Sequence, residues 1–229
     1  MDFFSGFIEL IKQGGPIMII LILMSIVAVA IVIERLWFFA QQHGDSKALL
    51  RELGAKIAAD DIPAAIKVCR NNKGMLPRIL EFGLQRGTKN RADITDALSI
   101  ALMENLNQLE RNLGIIGTIA VIAPFVGLLG TVLGIIRAFQ DIALKGNSTP
   151  AVVAAGVGEA LVTTAAGLFV AVISVIFFNY FKTRIKAYNQ EMIVAANQLA
   201  EMLHFHNVGE PIPTDLYQPP PAATVPPGR

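Results

Sequence analysis

Cysteine is all but missing from this chain: Cys69 is the only one, so no internal disulfide can form. Charge is scarce too. Only 16% of the residues are Asp, Glu, Lys or Arg while 53% are hydrophobic; a soluble domain is about a quarter charged. A net charge of +1 with no compact basic cluster offers nucleic acid nothing to hold. The three histidines, His43, His204 and His206, are scattered. No nucleophile–base pair, metal-ligand spacing or glycine-rich phosphate loop stands between the first two apolar runs. An enzyme is therefore not expected, nor a cofactor or a metal.

What the chain has instead is three long apolar runs. Residues 13–33 and 112–136 carry no charge, and in the 36 residues 146–181 the only charge is Glu159. Each run exceeds the roughly 20 residues that span hydrocarbon as a helix. The leader before the first run holds Asp2 and Glu9 against Lys12, and no small-residue cleavage site follows it. The run therefore reads as an uncleaved span rather than a signal peptide. Eleven of the nineteen Lys and Arg lie in residues 40–113, and Lys182, Arg184 and Lys186 follow the third span. The positive-inside rule places those segments in the cytoplasm and the N-terminus outside.

The predicted fold class is all-α: three spans with long helices extending into the cytoplasm. Residues 1–39 give the N-terminus and first span, and 40–113 a cytoplasmic helical loop. Spans two and three, with a short periplasmic connection, occupy 114–182. A cytoplasmic helix follows over 183–206, then a disordered proline-rich tail over 207–229. Within the loop, Asp60-Asp61-Ile62-Pro63 predicts a helix start and Asn71-Asn72-Lys73-Gly74 a stop, and residues 87–90 a further break. Ile94, Leu98, Leu102, Leu106, Leu109 and Leu113 recur at helical spacing. They predict one unbroken helix from about Ala92 to Ala143. Ile185, Tyr188, Met192, Ala195, Leu199 and Met202 continue the third span in the same way. Such stripes need partners, within the subunit or from neighbouring copies in a homo-oligomeric ring.

Span two carries Gly127, Gly130 and Gly134 on one face, where small residues let membrane helices approach closely. Pro124 removes a backbone donor there. Thr131 is the polar residue in mid-span, and a hydroxyl in that position can simply bond back to its own helix. In span three Thr149-Pro150 predicts a helix start. Thr163 and Thr164 follow Glu159 by four and five positions, and Gly156 and Gly167 keep that side narrow. A carboxylate next to hydroxyls that both donate and accept can support a chain of waters. A carboxylate can load and release a proton, as lysine or arginine cannot. A second placement stays open: residues 160–181 suffice to span alone, which would leave Glu159 solvated at the outer interface.

The two segments APFVGLLGTVLGI (123–135) and GVGEALVTTAAGL (156–168) resemble the MotA/TolQ/ExbB proton channel family, most closely its ExbB and TolQ branches. The resemblance implies an inner-membrane homopentamer around helices of a single-span ExbD/TolR-like partner. It implies proton-driven motion whose work passes to a periplasmic TonB-type protein, or serves envelope maintenance as in TolQ. It also implies that Glu159, Thr131 and Thr164 carry protons; Thr163 is added from its position alone. ExbB and TolQ proteins commonly have proline where this chain has Ala155. MotA-like flagellar stators usually have four spans and lack this glutamate. The contrasting function is a non-conducting scaffold that holds partner helices.

Overall fold

The computed structural model describes residues 2–42, 44–86, 91–145 and 150–216; the side chains of 2–14, 141, 144–145, 150–153, 155 and 159 are not among those described. The predicted break at 87–90, Thr149 of the predicted helix start, His43 and tail residues 217–229 lie outside the described residues. The helices are α1 (Asp2–Ala40), α2 (Ser46–Ala58), α3 (Ile62–Asn71), α4 (Met75–Arg86), α5 (Arg91–Glu110), α6 (Leu113–Lys145) and α7 (Pro150–Val208). A short 3-10 turn at Thr214–Leu216 follows, and no strand occurs among the described residues. The protein is all-α, with three helices long and apolar enough to cross a membrane: Gly15–Ala40, Leu113–Gln140 and Gly156–Val208.

Local chemistry sets most boundaries. Gly15 interrupts α1 at φ 59°, ψ −153°, a conformation open chiefly to glycine, and Pro16 next to it has no amide hydrogen to give. Asp45 caps α2, accepting from the amides of Lys47 (3.0 Å) and Ala48 (3.1 Å). Asp61 caps α3 through the Ala64 amide at 2.9 Å, with Pro63 in the first turn. That helix ends at Asn72, and Gly74 turns the chain at φ 129°.

The unbroken helix expected from Ala92 to Ala143 is not there. It stops at Glu110 and restarts at Leu113, with Asn112 in the left-handed region at φ 63°. Asparagine is among the few residues other than glycine that enter this region at low cost. The leucine stripe hides the break because Leu109 and Leu113 are both buried, one on each side of it.

The chain forms two compact units. The first, Met1–Arg35 with Arg111–Lys182, contains the apolar parts of α1, α6 and α7. Its core joins Leu21 and Ala28 to Ile119, Ala123 and Ala171, with Met24, Val126, Ala166 and Val170 packed against them. Its outer surface bares Ile33, Val121, Phe125 and Phe169, each more than 60% exposed, as lipid-facing helices do. Glu34 grips Arg35 through two 2.6 Å contacts and lies 4.0 Å from Arg111. Arg35 is buried.

The second unit, Leu36–Glu110 with Thr183–Arg229, buries Leu53, Ile57, Ile79, Leu80 and Ile94 together with Met192 and Leu199 of α7. A Cβ on Gly83 would lie 2.8 Å from Leu98 and 3.2 Å from Leu199, so α4, α5 and α7 meet closely there.

Candidate functional site

The first unit brings α6 and α7 together over small residues. A Cβ on Gly127 would meet the Thr163 carbonyl oxygen at 2.9 Å and the Thr164 Cα at 3.0 Å. One on Gly167 would lie 2.6 Å from the Ala123 carbonyl oxygen and 2.9 Å from the Gly127 Cα. Along the same face Gly134 abuts Ala160, Gly156 abuts Ala138, and Gly130 lies under the Thr163 side chain. The backbones thus touch where glycine leaves them bare. Pro124 lies inside α6, half-buried, one residue from fully buried Ala123.

This approach exposes one acceptor. The Gly127 carbonyl receives the Thr164 hydroxyl at 3.0 Å and the Thr163 hydroxyl at 3.3 Å, both from α7. Within α6 the residue four positions on from Gly127, whose amide pairs with that carbonyl in an α-helix, is Thr131. Two hydroxyls of α7 therefore converge on one oxygen of α6. Thr163 makes its shorter bond, 2.7 Å, to Ala160 of its own helix. Thr131 donates back to Leu128 at 2.7 Å, the local bond its position allows. Thr164 is thus the hydroxyl that bonds between helices and not within its own.

Each of these hydroxyl hydrogens is given to a carbonyl, so each oxygen keeps lone pairs that can accept from water or a protonated carboxyl. Thr163 and Thr131 are buried and Thr164 is half-buried. Glu159 lies on α7 one residue before Ala160, the residue that faces Gly134; its side chain lies outside those described. The sequence reading missed the Gly127 carbonyl as the common acceptor, and it missed Ala138 as the partner of Gly156. It also passed over Ser174, buried and donating to Val170 at 2.7 Å. The bare backbone of glycine signals an available carbonyl, but which side chain reaches it is a pairing across 36 or 37 residues. Among the described residues no three His, Cys, Asp or Glu gather as a metal site.

The profile of the MotA/TolQ/ExbB proton channel family matches residues 71–193, more than half of the chain and all of this crossing. The chain belongs to that family. A "Putative biopolymer transport protein ExbB-like 3" of Synechocystis is 33% identical over 174 residues, covering 74% of this chain and 82% of that protein. A "Putative biopolymer transport protein ExbB homolog" of Methanothermobacter thermautotrophicus is 27% identical over 186 residues; they make up 81% of this chain but 66% of that protein. The Campylobacter jejuni MotAB structure shares the fold at a TM-score of 0.60, with 19% identity, over 82% of this chain and 72% of that one. The protein is thus a helical membrane member of a proton channel family.

Proposed function

We propose that this family member is an inner-membrane, proton-conducting motor subunit, not an enzyme, and that Glu159 loads and releases the proton. In this reading copies of the chain form a ring, a homopentamer by family analogy, around an ExbD/TolR-like single-span partner. The proton motive force then does work on a periplasmic TonB-type transducer. The observation that carries the reading is the convergence of the Thr163 and Thr164 hydroxyls on the Gly127 carbonyl, close along α7 to the backbone of Glu159. A carboxylate in an apolar span is costly, and such groups mark ion or proton paths. Hydroxyls whose hydrogens are already committed leave acceptors for the protonated carboxyl or for water. Relatives carry both ExbB and TolQ names, so a TolQ-like role in envelope maintenance stands as the alternative. The N-terminus is periplasmic and the C-terminus cytoplasmic in this account, following the lysine and arginine bias.

The scaffold reading has one observation in its favour: Thr131 and Thr163 both bond to their own helix, as purely packed hydroxyls do. Proton flux through proteoliposomes containing the complex with its co-purified partner separates the two. Glu159→Gln keeps size and hydrogen bonding but does not titrate, so it silences a proton path and spares a scaffold.

A further inference from the structure

In the second unit a chamber of about 170 Å³ opens between the end of α1 and the continuation of α7. Phe39, Gln42, Arg184, Tyr188 and Glu191 line it. Arg184, Tyr188 and Glu191 share one face of α7, at i, i+4 and i+7. Arg184 and Glu191 thus flank the chamber about 10 Å apart along the helix axis. They do not pair with each other. The guanidinium is exposed and has no hydrogen-bond or ion-pair partner among the described residues. One Glu191 oxygen, Oε1, accepts the Ser46 hydroxyl, which leaves the other oxygen for a ligand. The Gln42 carbonyl accepts the Met75 amide at 3.0 Å, which turns the remaining NH₂ of Gln42 into a free donor.

The chamber's place in the chain says what reaches it. Phe39 is the next-to-last residue of the first span, and Arg184 lies three residues beyond Phe181, where the third apolar run ends. That is the depth of lipid headgroups. A phosphate-binding guanidinium, Arg184, stands on one side of the chamber and the Glu191 carboxylate further along the same helix face, with Gln42 also in the wall.

We infer that this chamber binds a zwitterionic phosphoethanolamine group, its phosphate on Arg184 and its primary ammonium on Glu191. Either a membrane lipid or a soluble phosphoethanolamine ester could bring that group. The inference goes beyond the proton-conducting reading and does not depend on it, because it is read in retained ligand and not in flux.

The test is native mass spectrometry of the full assembly released from nanodiscs holding equal amounts of phosphatidylethanolamine and phosphatidylglycerol. The wild type is expected to retain phosphatidylethanolamine selectively. Arg184→Gln and Glu191→Gln each remove one charge-assisted contact and should each lower retention at least about tenfold. Both positions are exposed, so neither substitution threatens folding. Ser46→Ala keeps the carboxylate and should keep the lipid. Displacement by glycerophosphoethanolamine at matching concentration supports the site and assigns it to a soluble ester; resistance to displacement supports it and assigns it to the lipid. Equal retention of phosphatidylglycerol, or retention unmoved by Arg184→Gln or by Glu191→Gln, overturns the inference.

Discussion

The Thr164 hydroxyl crosses from α7 to the Gly127 carbonyl on α6 at 3.0 Å. This bond ties the two helices at the point where their backbones are closest, and it makes Thr164 separable from its neighbours. Replacing it with valine keeps the shape and removes the hydroxyl. Interhelical hydrogen bonds in membranes are worth about 0.6 kcal/mol on average, so thermal unfolding of Thr164→Val in detergent should move only slightly. Proton flux should fall sharply in the valine variant and persist in Thr164→Ser. Equal flux in valine and wild type would remove this hydroxyl from the path.

The glycines are predicted to differ from one another by what a methyl group would meet. At Gly167 it would strike the Ala123 carbonyl oxygen at 2.6 Å, and backbone cannot swing aside. Gly167→Ala should cost about 1–3 kcal/mol as overpacking, read as a lower unfolding midpoint. Gly158, where a methyl group would find nothing within 4 Å, is the control. Gly158→Ala should be neutral or stabilise by up to about 1 kcal/mol.

The turn between α5 and α6 depends on Asn112 at φ 63°. Asn112→Gly should be tolerated, since glycine adopts that conformation freely. Asn112→Val should destabilise by about 1–2 kcal/mol, because a β-branched residue is strained there. Chemical unfolding of the two variants side by side checks the ordering.

Burial, assisted by Glu81 and Glu52, pushes the Cys69 thiol up from 9.0 to about 12. In the folded protein it should therefore resist maleimide at pH 8 and react at once when denatured. Because the folded value is the higher one, Cys69 contributes stability that is complete below about pH 9. That contribution is lost as pH rises from there through about 12. Rapid labelling of the native protein at pH 8 would contradict the burial.

Much of this arrangement was legible in the chain because it is local. Apolar runs of spanning length, two without charge and the third with Glu159 alone, set the three membrane helices, and Asp61 with Pro63 set the start of α3. The break at Asn112 was not legible: a buried leucine stripe runs across it, and periodicity reports burial rather than continuity. The kink at Gly15 hid in the same way, inside a charge-free run. The glycine face of α6 could be read from spacing, whereas its pairing with Thr163 and Thr164 depends on how two distant segments dock. The cap by Asp45 went unread although Gly44 before it and Ser46 after it mark a helix start.

The account's central claim is that Glu159 carries the proton, and proton flux decides it most directly. Proteoliposomes holding the wild-type complex with its co-purified single-span partner should conduct. Those holding Glu159→Gln, assembled to the same size, should not. Equal flux from both would contradict the account and leave Glu159 a structural residue.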